Sequence, residues 1–137
     1  MNISKFTQKS VQAVQDLEKV AYEYGNQEVE QEHLLYALLT QEDSLILKLI
    51  EKMEINKDYF INTVKKALDA KVKVSGGDLR FGQYLNKSLV NAENEAKAMG
   101  VEYVSVEHLF LSLLTQPSPS MKKIFNEFGI TRERFLQ

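Results

Sequence analysis

At 137 residues, with 44% hydrophobic and 26% charged side chains, the chain has the size of one ordinary domain and enough apolar material for a real core. A formal net charge of -2 lacks the basic excess of a dedicated nucleic-acid binder, and the absence of cysteine excludes disulfides and thiolate chemistry. The opening MNISKFTQKS has no apolar signal-peptide core, and no stretch nears the ~20 apolar residues of a membrane span, so the sequence reads as soluble and cytoplasmic.

The predicted elements are helices. Thr7 is placed to cap a first helix whose apolar face is Val14, Leu17, Ala21 and Tyr24, closed by Gly25. The phrase EHLLYALLTQ, from Glu32 to Gln41, carries a second. Asp43 is read as the N-cap of a third, bearing Ile46, Leu49, Ile50 and Met53. Asn56 caps a fourth, bearing Phe60, Val64 and Leu68. A polar connector, DAKVKVSGGDLR, follows, in which Val72–Val74 is the one short stretch with strand-like alternation. Leu85, Leu89, Ala92, Ala96 and Met99 then mark one face of a fifth helix, closed by Gly100. EHLFLSLLTQ, from Glu107 to Gln116, carries a sixth with Ser105 as its N-cap. Ser118 or Ser120 starts a seventh, bearing Met121, Ile124, Phe125 and Phe128 and ended by Gly129, and Thr131 caps an eighth.

The two EHL phrases lie 75 residues apart, and that offset organises the whole chain. Phe6 to Phe60 falls on Phe81 to Phe135 without a gap, with about sixteen identical pairs, among them Gly25/Gly100, Val29/Val104 and His33/His108. The expected fold is all-α: two pseudo-symmetric four-helix repeats, residues 6–69 and 81–137, joined by a linker over 70–80 within a single domain, 1–137. A repeat of ~60 residues buries too little surface to be comfortable alone. The halves are therefore expected to pack face to face and leave a groove at their seam. The second copy stops at Gln137, a few residues into its fourth helix, so the chain is read as a piece of a longer protein.

Four patterns invite a chemical reading. The two histidines each follow a glutamate, but zinc takes three or four ligands, and adjacent helical residues point about 100° apart. Each His is read as packing in the first turn of its helix, with Glu107 where the helix dipole favours an anion; a partner contact and a metal site stay open. Gly77 to Gly82 has the outline G-x-x-x-x-G, but Gln83 and Tyr84 stand where a phosphate loop needs Lys and Ser/Thr. The pairs Lys65-Lys66 and Lys122-Lys123 read as solvated helix faces. Thr7 is either a plain helix cap or a capping hydroxyl at the edge of the groove; its counterpart, Gly82, is a weaker cap.

The doubled pattern F-T … G … E-H-L-L-x-A-L-L, followed by Y-V-S-V-E-H-L-F-L-S-L-L, resembles the N-terminal domain of the Clp-type AAA+ unfoldases. The opening residues, the SGGD linker and the ending EFGITRERFLQ resemble the protein disaggregases of that family. The resemblance implies a mobile, all-helical, non-enzymatic appendage on a homohexameric threading machine of the stress response, monomeric when isolated. It implies unfolded or aggregated proteins as clients, captured through exposed apolar segments, with neither nucleic acid nor membrane as partner. Docking of an adaptor protein, as in the protease-associated unfoldases, is the alternative. ATP and magnesium would belong to modules beyond Gln137, and no cofactor is expected in these residues. The family groove implies Thr7, Glu107 and apolar positions on the fifth helix, for which Leu85 and Leu89 are the candidates. Val101 stands where some relatives carry an acid, with Glu102 next, and His108 beside Glu107 completes the set. Such a groove would hold extended, hydrophobic, often basic segments weakly, since ordering a disordered partner offsets much of the contact energy.

Overall fold

The computed structural model describes residues 3–137, and among them eight α-helices fall into two sets of four. The first set is α1 (Gln8–Glu23), α2 (Gln31–Leu39), α3 (Leu45–Lys52) and α4 (Lys57–Asp69). The second is α5 (Gln83–Ala98), α6 (Val106–Thr115), α7 (Pro119–Phe128) and α8 (Arg132–Leu136).

The caps explain why the helices start and stop where they do. Thr7, Asn56, Ser118 and Thr131 each accept a hydrogen bond from the backbone N–H three residues on, satisfying one donor that the first turn leaves open. Gly25 and Gly100 close α1 and α5 at φ of 71° and 72°, a left-handed conformation that a side chain would strain. Two local expectations shift. Ser44, not Asp43, caps α3; Asp43 sits at φ 58° and directs its carboxylate to Lys48. Met99 is 42% exposed, so the buried stripe of α5 ends at Ala96.

The EHL helices lie at the centre. In α2 every residue but Tyr36 is buried, and in α6 Val106 and the run His108–Leu113 are. A short helix covered on nearly all sides needs apolar residues all round, which is what EHLLYALL and EHLFLSLL supply. α1 covers α2, α5 covers α6, and α2 and α6 touch each other. One continuous core runs through both sets, with Phe60 and Phe110 fully buried in it. Phe110 packs against Phe135 at 4.7 Å between ring centroids, and Phe60 meets Phe128 edge-on at 4.9 Å.

The two halves are also joined by backbone pairing that alternation did not reveal. β1 (Glu28–Val29) pairs in parallel with β2 (Arg80–Phe81), in the register Val29 opposite Phe81. Phe6 bridges Val104 in the same sense. These contacts are reciprocal: the residues entering each set pair with the loop before the second helix of the other. Strands of two residues are too short to carry a periodic signal. Val72–Val74, by contrast, forms no strand. It runs along the end of α1, where the Val74 N–H donates to the Gly25 carbonyl and the Asn26 amide to the Val72 carbonyl. No helix among the described residues is long and apolar enough to cross a membrane.

A candidate binding site at the seam between repeats

Pairing the repeats reciprocally creates two equivalent seams. At one, the start of α1 meets the start of α6. The Thr7 N–H donates to the Val104 carbonyl at 3.0 Å, and Val104 N–H donates to Lys5. Ser10, one turn on, donates its hydroxyl to the same Val104 carbonyl at 2.8 Å. A recess of about 220 Å³ opens beside this bridge, lined by Thr7, Lys9, Gln41, Asp43, Leu45, Ser105, Val106 and Glu107. Leu45 is 40% exposed and, with Val106, gives the recess an apolar wall; Thr7, Ser105, Asp43 and Glu107 form a polar rim. The cation of Lys9 is directed to the Glu42 carbonyl at 2.7 Å, and Glu107 has no ion pair among the described residues.

The other seam, where α5 meets α2, is closed by side chains. Gln31 stands in the place of Val106. Its amide donates to Ser88 Oγ at 2.8 Å and to the Gln116 carbonyl at 2.9 Å, and its oxygen accepts from Ser118 N–H at 2.8 Å. Ser120 stands in the place of Leu45 and donates its hydroxyl to the Glu32 carboxylate. Lys71, from the connector, places its ammonium 2.8 Å from Glu30 and 3.2 Å from Glu32. Burial works against that charge, but the two carboxylates outweigh it and hold the ammonium pKa above its usual range. Glu32 is thus fully enclosed, while its counterpart Glu107 borders the open recess.

Both histidines are helix-cap residues. The Glu30 N–H donates to His33 Nδ1 at 2.8 Å, which puts the proton on Nε2, where it faces Asn26 Oδ1 at 2.9 Å. Burial dominates and, with Lys71 nearby, pulls the His33 pKa down to about 4, so the ring is neutral at pH 7. His108 repeats the cap, its Nδ1 accepting from Ser105 N–H at 2.9 Å, and burial lowers its pKa too. No cluster of three or more His, Cys, Asp or Glu side chains that could hold a metal occurs among the described residues.

The six candidate residues separate. Thr7 and Glu107 come together on the open recess. Val101, 46% exposed, lines a smaller cleft of about 150 Å³ with Lys5 and Val104, on the neighbouring stretch of the same bridge. Leu85 and Leu89, expected on the groove wall, are 0% and 1% exposed: the face of α5 that carries them is the one packed on α6. His108, 6% exposed, is committed to its cap. Helical periodicity identifies an apolar face but does not say whether a neighbour covers it. The wall residues that reading missed are Leu45 and Val106. Their signal lay in the aligned columns, where Ser120 and Gln31 of the other repeat turn apolar. A larger recess of about 540 Å³ lies on the second repeat around Phe125 and Arg132, but Arg132 is already bound to Glu95.

The fold has counterparts among known proteins. The family model for the Clp repeat (R) N-terminal domain matches residues 5–128. The chain is 38% identical to chaperone protein ClpB of Nitratidesulfovibrio vulgaris over 142 residues, covering 99% of the chain and 16% of that protein. It is 39% identical to ClpB of Clostridium tetani over 141 residues, again 99% of the chain and 16% of the relative. The chain thus spans about one sixth of the length of these relatives. Among solved structures, the Hsp104 N-terminal domain of Candida albicans superposes with a TM-score of 0.83 at 21% identity, over 96% of this chain and 87% of that one. A ClpV N-domain in complex with a VipB peptide superposes with a TM-score of 0.72 at 22% identity, over 96% and 82%. The matched region runs through both repeats, and the chain belongs to the Clp repeat N-terminal domain family, as found in ClpB chaperones.

Proposed function

We propose that this domain captures exposed apolar segments of unfolded or aggregated proteins at the open seam, for a ClpB-like machine to thread. The observation that carries the reading is the difference between the seams. At one seam Leu45, 40% exposed, with the nearly covered Val106 beneath it, lines an open recess beside Glu107, which has no ion pair among the described residues. Hydrogen bonds fill the other seam. A recess of about 220 Å³ is small for a drug-sized ligand but fits one or two side chains of an extended segment. Contact of that size is weak, which suits a domain that passes its cargo on. The ClpV N-domain that binds a VipB peptide shares this fold, and it lends support to a protein partner. Hexamer assembly, ATP-driven threading and a cytoplasmic setting belong to the proposed whole protein. The recess also leaves room for the second reading, a dedicated adaptor docking at the same rim.

Titration with a reduced, carboxymethylated model protein, which stays unfolded, tests the proposal. Saturable binding is expected, weakened at least tenfold by Leu45→Asp at unchanged melting temperature. Equal binding by the variant contradicts it. Recovery of one folded adaptor, with no response to unfolded proteins, favours the second reading.

A further inference from the structure

The recess of about 540 Å³ lies wholly on the second repeat, between the end of α6, α7 and the start of α8. Its volume is that of a ligand site. Half-buried Leu114 and Pro117, with the buried ring of Phe125, form its apolar part. Lys122, Arg132 and Glu133 are its charged residues. Lys122 is exposed and has no ion pair among the described residues. Arg132 is held in place: its Nη1 donates to the Glu95 carboxylate, and to Thr115 Oγ1 at 3.3 Å, while Thr115 itself donates to Glu95 at 2.8 Å. The bond from Arg132 holds the Glu95 carboxyl below its ordinary range, so both partners are charged. A guanidinium carries five N–H donors in a planar fork. Both bonds of Arg132 run through Nη1, and its Nη2 and Nε have no partner among the described residues.

The same columns of the first repeat carry the opposite charge. Glu42 stands for Pro117, Leu47 for Lys122, Glu51 for Asn126, Lys57 for Arg132 and Asp58 for Glu133. There three carboxylates accompany one cation, and Lys57 lies 3.6 Å from Glu51. In the second repeat two cations accompany one carboxylate, and Asn126 offers Arg132 no charge. Glu95, 8% exposed, does not line the recess. Lys122 and Asn126 lie one turn apart on α7 and are both exposed, so the core requires neither.

From this reversal of charge we infer that the recess is a docking surface for an acidic segment of a partner protein. Arg132, already oriented by Glu95 and Thr115, takes a carboxylate of the segment on the free side of its fork, and Lys122 adds a point charge. An apolar side chain next to that carboxylate covers Leu114 and Pro117. The recess shares no lining residue with the open seam, so the two can be occupied together. The ion pairs lie at an exposed rim, so their effect on affinity is modest, about fivefold, and decreases with salt.

The test uses the 137-residue chain, two peptides and amide chemical-shift mapping. The first peptide is acetyl-GDLEFDG-amide; the second, acetyl-GNLQFNG-amide, keeps the shape and removes the charge. Expected are saturable shifts at Leu114, Lys122, Phe125 and Arg132 with the acidic peptide. Binding should be about fivefold weaker with the neutral peptide. The difference should vanish in the double variant Lys122→Leu, Asn126→Glu, which installs the first repeat's residues on an exposed face of α7. It should also vanish in the unaltered chain at about 1 M salt, where such pairs are screened. Equal binding of the two peptides, or a preference that survives in the double variant, overturns the inference. So do shifts at Leu45 and Val106 in place of the recess, or no shift at all. Inorganic phosphate binding these residues as tightly as the acidic peptide overturns it as well, by leaving a site for a bare anion. None of these results bears on the capture role, which the Leu45→Asp titration tests separately.

Discussion

The two seams of this domain are built from the same parts and end in opposite states. Each joins the start of one repeat's first helix to the start of the other's second helix, through a short parallel bridge. At the closed seam Gln31 reaches three partners, Ser120 reaches Glu32, and Lys71 neutralises the buried carboxylate. At the open seam Val106 and Leu45 can make none of those bonds, and Lys9, on its rim, is turned to the Glu42 carbonyl instead of a carboxylate. A few polar-to-apolar differences between duplicated copies thus separate a joint filled by hydrogen bonds from an open recess.

The largest predicted effect concerns the histidine at the closed seam. The His33 pKa is about 4 in the folded chain against about 6.5 when unfolded, so on acidification the unfolded chain takes up the proton first. The associated stability is intact above pH 6.5 and is lost between about 6.5 and about 4, on the order of 3 kcal/mol. Urea unfolding at pH 7 and pH 4.5 measures the slope. His33→Gln, which keeps a capping side chain and removes the titration, should flatten it; an unchanged slope contradicts the assignment.

The lysines sharpen the contrast next. Lys71→Met strands Glu32 in a buried site and should cost about 2 kcal/mol. Lys9→Met at the open seam should cost less than about 0.5 kcal/mol. Comparable losses from the two would mean that the seams differ less than their geometry indicates.

Converting one seam into the other is a more direct challenge. Val106→Gln with Leu45→Ser installs the closed seam's donors at the open one. Binding of an unfolded protein should fall by roughly tenfold, equivalent to about 1.4 kcal/mol, measured below the variant's own melting temperature. Retained binding would remove Leu45 and Val106 from the account.

The smallest effect lies away from the seams. Glu54, at φ 63°, occupies the position where the second repeat has Gly129, at φ 64°. Glu54→Gly should therefore stabilise the domain by about 0.5–1 kcal/mol, read as a rise in the urea midpoint.

Much of this architecture is legible in the amino acids. The 75-residue offset, the Asn56 and Thr131 caps and the buried faces of α1, α4 and α7 follow from spacing and residue type, whereas of the two serines that could start α7 only the structure selects Ser118. The site is legible only in part. Thr7 and Glu107 stand on the recess, but Leu85 and Leu89 share a periodicity that core and groove residues have in common. The bridges of Phe6 with Val104 and of Phe81 with Val29 are tertiary pairings of one or two residues, beyond the reach of any local pattern. Ser44 displaced Asp43 as a cap because its hydroxyl can both accept from Leu47 N–H and donate to the Leu38 carbonyl at 2.6 Å. An aspartate, with no proton to give, satisfies only the first of these.

The most direct test of the account is to ask which seam an unfolded protein touches. Cross-saturation from a deuterium-free, carboxymethylated client to the methyl groups of the deuterated domain reports contact residue by residue. The account predicts saturation at Leu45 and Val106 and none at Leu85, Leu89 or the other methyls of the core. Saturation elsewhere on the surface, with Leu45 and Val106 silent, would contradict it.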